Sequence, residues 1–289
     1  MNIPNNMDKK TAIVVLTRGY TQIQKYNTLI QRNKNILKNL DETNKSIDNL
    51  IFHEGNILEE HQRYISSFTP QLNLKFICIA DKAFNPDKKN IQTYSPTNSF
   101  GLNYRHMCSF WFVDFWNYVE EYDMILRIDE DCIIDFNISQ IFNNLTNSLT
   151  IYGMWTMDQE FVTHGLNKFT LNFLKENNIK TSVIFQQPSG PYTNVIGLNL
   201  QLLRKNEMLK KYIEKVKQTN CIYIFRWGDL PLWGEAFYYL CDKRLCLKSS
   251  KIKYFHGSHN FFVGTNNNNN NNNNPNNNNN SKMPMQLQI

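Results

Sequence analysis

The chain predicts an α/β protein built on a single mixed, mostly parallel central sheet flanked by helices. Strand-like and helix-like segments alternate across residues 11–262, the pattern that puts helices over the faces of one sheet. The first strand, at 11–17 (Thr-Ala-Ile-Val-Val-Leu-Thr), is β-branched and apolar, and is bounded by Lys10 and by Arg18-Gly19. A second apolar run, Met124-Ile125-Leu126-Arg127-Ile128, ends in consecutive acids, Asp129-Glu130-Asp131. A buried strand does not hold such charges without a counter-charge, so they mark a strand tip.

The elements follow in order. Residues 21–40 read as a helix, with Ile23, Tyr26, Ile30 and Leu37 near one face. Leu50-Ile51-Phe52 reads as a strand, 56–68 as a helix and 74–80 as a third strand. Residues 84–99 carry Pro, Asn and Lys without periodicity and read as a loop over the site. Residues 101–118 form an aromatic helix with Trp111, Phe112, Phe115 and Trp116, dense enough to be buried or to line a pocket. After the acid-tipped strand, 138–149 reads as a helix, 151–157 as a strand, and 166–177, 200–217 and 230–240 as helices. The last element is a strand at 252–255 that delivers His256 and His259. Residues 1–10 read as a disordered N-terminus, 11–262 as the domain and 263–289 as a low-complexity Asn-rich tail that cannot build a core.

Composition excludes several functions. The 289 residues are 41% hydrophobic, enough for a core, and no internal repeat is present. The net charge of +6 is spread over doublets such as Lys9-Lys10 and Lys210-Lys211, with no arginine-rich stripe, so no nucleic-acid partner is expected. The cysteines form no C-x-x-C pair, which argues against a zinc site and a disulfide scaffold. With no signal-peptide core and no apolar run long enough to span a bilayer, the chain as written reads as cytoplasmic and without a transmembrane segment. No Gly-rich phosphate loop follows the first strand.

Ligands of open α/β sheets bind beyond the carboxyl ends of the strands. An Asp-x-Asp delivered there suits Mg²⁺ or Mn²⁺ bridging two phosphates, while a solvated acidic turn ahead of the next helix is the plain alternative. Polar residues gather in three further places: 99–108, Arg226-Trp227-Gly228-Asp229 and His256-Gly257-Ser258-His259.

Taken in order, Gly101-Leu102-x-Tyr104-Arg105-His106-Met107-Cys108, Tyr122-Asp123 with the Arg127 to Asp131 strand, and Arg226-Trp227-Gly228-Asp229-x-Pro231 resemble the fungal α-1,2-mannosyltransferases, glycosyltransferase family fifteen. The resemblance spans 11–259 and is concentrated in 101–231. It implies a GT-A fold, a GDP-mannose donor, Mn²⁺, a glycan or glycoside acceptor, and retention of anomeric configuration. It also implies Golgi membrane anchoring in the relatives.

By the same resemblance, Asp129 is a metal ligand and Asp131 ligates or holds a metal-bound water. His256 or His259 completes the set from the last strand, His256 because it follows that strand directly. One of Tyr104 and Arg105, at the start of the aromatic helix, reaches the ligand, and Arg18 faces the nucleotide or forms a surface salt bridge. Asp229 binds sugar hydroxyls, or acts as a first-turn acid of its helix.

The chain departs from the family at several positions. Asp129-Glu130-Asp131 stands for Glu-Pro-Asp, and Phe225 stands for a glutamate. A glutamate near the reacting sugar is matched by Asn194, or in the other register by Ile196. Asn194 can hydrogen-bond a sugar but cannot serve as nucleophile or base; Asp158 and Glu160 are the acids near in sequence. The expected activity is therefore metal-dependent mannosyl transfer, and the alternative is a catalytically silent nucleotide-sugar or glycan binder.

Overall fold

The computed structural model describes residues 9–41, 47–181 and 187–264. Its first half is a run of parallel strands and crossover helices: β1 (Thr11–Leu16), α1 (Asn27–Asn39), β2 (Asp48–His53), α2 (Glu59–Ser67) and β3 (Asn73–Cys78). The long 79–101 connection holds two short 3-10 turns, Pro86–Asn90 and Ser95–Thr97, and leads to α3 (Leu102–Ser109) and β4 (Met124–Ile128). The second half comprises β5 (Cys132–Ile134), α4 (Ile138–Leu145), β6 (Thr150–Tyr152), β7 (Trp155–Met157), α5 (Leu166–Glu176), β8 (Ser189–Pro191) and β9 (Val195–Asn199). There follow α6 (Leu200–Leu203), α7 (Glu207–Thr219), α8 (Cys221–Phe225), α9 (Asp229–Tyr239), β10 (Cys246–Lys248), β11 (Tyr254–His256) and β12 (Phe261–Val263).

The main sheet has seven strands in the order β10-β6-β9-β4-β1-β2-β3. Every pairing in it is parallel except those of β9, which runs antiparallel to both β4 and β6. This is the expected mixed, mostly parallel sheet, and the reversal of β9 has a local consequence. Because Ile128 pairs with Val195, the tip of β4 meets the residue that enters β9, and Asp129 N–H donates to the Asn194 carbonyl at 2.9 Å. A small antiparallel sheet, β12-β11-β5, sets His256 opposite Cys132 and so brings the chain's last described strands back to the same edge.

Helices bury both faces. On one, Val14, Phe52, Ile125 and Ile196 pack with the aromatic segment after α3 and with α7 and α9. On the other, Ile13, Leu126 and Ile128 meet Ile36 of α1 and Ile141 of α4, while Val15 and Ile51 meet Leu29, Ile30 and Ile65. Among the described residues no helix is long and apolar enough to cross a membrane.

Several elements differ from expectation. The aromatic helix is α-helical only to Ser109; it widens into a π turn at Phe110–Asp114 and tightens into a 3-10 turn at Phe115–Tyr118. It is enclosed by the sheet, α7 and α9, which is why Phe110, Trp111 and Phe112 are all buried in succession. The strand expected at 151–157 breaks after Tyr152 and resumes as β7, which pairs with β8 instead. The helix expected at 200–217 is two helices, because the Asn206 side chain caps α7 by accepting from Leu209 N–H at 3.0 Å. The last expected strand begins two residues late, at Tyr254. The expected termini fall, for residues 1–8 and from 265 onward, outside the described residues.

α9 lies directly on β8. A Cβ on Gly234 would stand 1.7 Å from the Ser189 carbonyl oxygen, and one on Gly190 would stand 1.9 Å from that of Leu230. Gly234→Ala therefore forces backbone apart, and a loss of about 3 kcal/mol, read as a lower urea midpoint, is the expected result. One residue on, Glu235 is buried against α5 and α7, and burial lifts its carboxyl to about 7. Its folded pKa lies above the unfolded value, so the stability it confers is full below pH ~4.5 and is lost as pH rises through about 7. Wild type should thus lose melting temperature across that window relative to Glu235→Gln, and parallel pH profiles would refute the assignment.

Candidate active site

At the tip of β4 the acids part company. Arg127, buried in the strand, donates from Nε to Asp129 Oδ1 at 2.7 Å and from Nη2 to Oδ2 at 3.0 Å. Its remaining Nη1 donates to Asp229 Oδ2 at 2.6 Å, at the first turn of α9, and its guanidinium lies 4.2 Å from the Trp111 ring centroid. Burial alone would lower its pKa, but Asp129 and Asp229 outweigh that and raise it, so the charge is permanent. Asp129 also accepts from Asn194 Nδ2 at 3.0 Å, so each of its oxygens takes at least one hydrogen bond. Burial, then the neighbouring Asp131 and Asp229, holds its pKa above the ordinary carboxylate value despite Arg127. Glu130 accepts from the Thr17 hydroxyl at the end of β1, and burial raises its pKa as well.

Asp131 faces the opposite way, toward β11. Its Oδ2 lies 3.2 Å from His256 Nε2 and accepts from Ser258 N–H at 3.0 Å. Burial would raise this carboxyl, yet the hydrogen bonds from His256 and Ser258 hold it well below the usual range. His256 Nε2 also has Ser258 Oγ at 3.1 Å and Asn194 Nδ2 at 3.3 Å, while Tyr192 OH sits 2.6 Å from Nδ1. No single neutral tautomer satisfies this set: a proton on Nε2 suits Asp131, and a lone pair there suits the Asn194 amide. His259 is exposed, its Nδ1 is 3.1 Å from Ser258 Oγ, and partial burial followed by His256 lowers its pKa. Of the two histidines, His256 is the one brought to the acids.

The ligand atoms of Asp131, Cys132 and His256 lie within 4.8 Å of one another. Burial drives the Cys132 thiol far up, so it stays protonated and belongs to the apolar core. That leaves a carboxylate and an imidazole whose contested Nε2 points at the carboxylate, a donor pair of the kind Mn²⁺ accepts. Asp129, expected as the direct ligand, accepts hydrogen bonds from Arg127 and Asn194 and is not one of this group of three.

The remaining expected residues fall in different places. Tyr104 OH accepts from Arg226 Nη2 at 2.6 Å, and burial pushes its pKa to about 12. Arg105 is used elsewhere. It is 2% exposed, and its N–H groups donate to the carbonyls of Phe100, Tyr223 and Thr97 at 3.2, 2.7 and 2.6 Å, stitching the 94–101 connection to α8. The same connection is pinned by Tyr94 N–H to the Ile224 carbonyl at 2.8 Å, so the loop expected over the site is tied down at this point. Arg18 follows β1, lies 4.9 Å from the Tyr20 ring and acts electrostatically on Glu130. Asn194 bridges Asp129 and His256, whereas Ile196 is 1% exposed beside Arg127 in the sheet. Glu160 is exposed, and Asp158 pairs with Arg226 at 2.5 Å.

Sequence reasoning passed over Arg127, Tyr192 and Arg32. Arg32 is a buried cation on α1 that donates to the carbonyls of Ile128 and Val14 at 2.7 and 3.2 Å, just behind the acidic tip; burial lowers its pKa to about 10. A lone arginine inside an apolar strand, as at 127, was the available signal for the first. The others carry none before the fold is known.

Sheet order and acid-tipped β4 together define a GT-A fold, the fold of nucleotide-diphospho-sugar transferases. The comparisons agree. No protein-family model matches the chain. It is 25% identical over 186 residues to glycolipid 2-alpha-mannosyltransferase 2 of Candida albicans, a match covering 58% of this chain and 39% of that protein. The chain thus matches well under half the length of this relative. In three dimensions it resembles the mannosyltransferase Ktr4p of S. cerevisiae, with a TM-score of 0.69 and 18% identity over 86% of this chain and 70% of that one. It also resembles core-mannan synthase A (CmsA/Ktr4) of Aspergillus fumigatus in its Mn/GDP form, with a TM-score of 0.70 and 15% identity over 88% and 76% of the two chains. The resemblance to fungal mannosyltransferases is therefore present in both sequence and fold.

Arg127 should be indispensable to this arrangement. Arg127→Met leaves Asp129 and Asp229 buried without their cation, and a loss of about 3–5 kcal/mol is expected on urea unfolding. Combined with Asp229→Asn, the loss should be clearly less than additive; strict additivity would mean that the two groups do not interact.

Proposed function

We propose that the protein is a metal-dependent glycosyltransferase that moves mannose from GDP-mannose to a glycan or glycoside acceptor with retention of configuration. The observation that carries this reading is the pairing of Asp131 with His256 at the carboxyl edge of a GT-A sheet. The sequence relative is a mannosyltransferase, and one structural relative is in a Mn/GDP form, which supports the choice of donor and metal.

Asp131 and His256 would hold the Mn²⁺ whose Lewis acidity offsets the charge of the departing diphosphate. Tyr192, on Nδ1 of His256, fixes the ring so that Nε2 faces Asp131. Arg127 holds Asp129 and Asp229 in fixed positions, so that neither carboxylate would have to reorganise when a donor binds. Neither Asn194 nor Ile196 supplies a carboxylate nucleophile, which favours front-face transfer. In that route the bond from the anomeric carbon to diphosphate breaks as the acceptor oxygen bonds to the same face. The acceptor's proton passes to the leaving phosphate oxygen.

The test is GDP binding and donor turnover in a panel of nucleotide sugars with Mn²⁺, with and without simple glycosides. Asp131→Asn should weaken Mn²⁺-dependent GDP binding by at least roughly tenfold. GDP binding that needs no Mn²⁺, or that is the same in Asp131→Asn, would sink the metal site. Mn²⁺-dependent GDP binding with no transfer or donor hydrolysis would instead identify a silent binder, the reading that the missing acids at 194 and 225 favour.

A further inference from the structure

The small sheet β12-β11-β5 departs from the pattern of a sheet with one face in solvent. Its inner face is apolar, with Cys132, Ile134, Tyr254 and Val263 all buried. Polar residues ordinarily alternate with such positions on the outer face. Here the register sets Ile133 opposite Phe255 and Phe255 opposite Phe262, so one apolar row crosses all three strands on the outer side. Ile133 is 39% and Phe262 59% exposed, and the Phe255 ring lies 4.8 Å from that of Phe262. A lone apolar residue on a surface needs no explanation, but a contiguous row does.

The row runs on into α1. Ile133 lines a shallow hollow with Gln31, Lys34, Asn35, Leu37 and Lys38 of that helix. Beyond it the Lys34 ammonium lies 5.1 Å from the ring centroid of Phe68, which ends α2 and is 40% exposed. Lys34, Lys38 and, just before β11, Lys253 thus border the apolar band. None of these lysines pairs with a carboxylate among the described residues. No acid occurs in α1, β5, β11 or β12 themselves. Two acids follow these elements in the chain. Asp41 accepts from Asn137 Nδ2 at 2.7 Å, and Asp135 lies across from Lys253, to whose carbonyl its N–H donates at 2.8 Å.

This combination selects a partner. A second copy seated face to face would bring an excess of like charge across an apolar contact, which is unfavourable. A bilayer surface with anionic headgroups is complementary instead. Exposed rings and an isoleucine enter the boundary of the acyl chains, while lysine stems lie along apolar surface and their ammonium groups stay with the phosphates.

We propose that the Ile133, Phe255 and Phe262 row, bordered by Lys34, Lys38 and Lys253, docks the protein on a membrane surface bearing anionic lipid. The row is on the opposite face of β11 from His256, so docking uses none of the residues of the candidate metal site. It does not rest on the glycosyltransferase reading.

The experiment mixes the full chain with phosphatidylcholine vesicles, with and without phosphatidylserine, and reads the bound fraction by flotation. Wild type should bind the phosphatidylserine vesicles, bind phosphatidylcholine alone far more weakly, and be released by high salt. Phe262→Ser should weaken binding about tenfold. Lys34→Gln and Lys38→Gln should each weaken it about fivefold. Leu247→Ser, an equally simple change at an exposed leucine of β10 on the far edge of the main sheet, should leave it unchanged. Phe262, Lys34 and Lys38 carry no core packing, so urea midpoints of these variants should match wild type and show that the fold is intact. No binding to phosphatidylserine vesicles, or binding that neither Phe262→Ser nor the lysine variants weaken, overturns the proposal. So does equal binding to both kinds of vesicle. A concentration-dependent dimer in sedimentation that Phe262→Ser abolishes, without vesicle binding, would assign the face to a second copy and overturn it as well.

Discussion

The structure depends most on a guanidinium inside a strand. Arg127 is placed where a β-strand ordinarily carries an aliphatic residue, and its three nitrogens are divided between the acid that ends β4 and the acid that opens α9. Burying that charge would be heavily unfavourable without both carboxylates, and each carboxylate would be equally unfavourable without the arginine. The triad therefore ties the sheet edge to α9. It leaves Asp131, which is outside the triad, turned toward β11 and His256.

The two halves of the sheet show how far a sequence reveals a fold. β1, β2 and β4 are legible because they are buried on both faces and so are continuously apolar. β9 is not, because Gly197 weakens its intrinsic strand signal and its conformation comes from being clamped between β4 and β6. β5, β10 and β12 are three residues long and exist only through their partners. The aromatic segment was recognisable as buried, but its π turn was not, since helix phase is set by what surrounds it.

The site divides the same way. Acids at a strand end and a histidine after a late strand can be seen in one dimension. Arg105 shows its charge in the sequence but not the carbonyls that consume it. Asp158 and Arg226 stand 68 positions apart, and nothing local in either segment announces that they meet. Position 194 was singled out for a missing acid, whereas its place in the fold is that of an amide linking Asp129 to His256.

Arg32 gives the acidic tip a second cation, on the face of the sheet opposite Arg127. The tip is thus held between two positive charges that belong to the protein and cannot leave it. Part of its negative charge is offset from within, by side chains alone. An ion held at Asp131 and His256, as proposed, would then be a passenger, free to arrive with a diphosphate and depart with one while Arg127 and Arg32 keep the edge in shape.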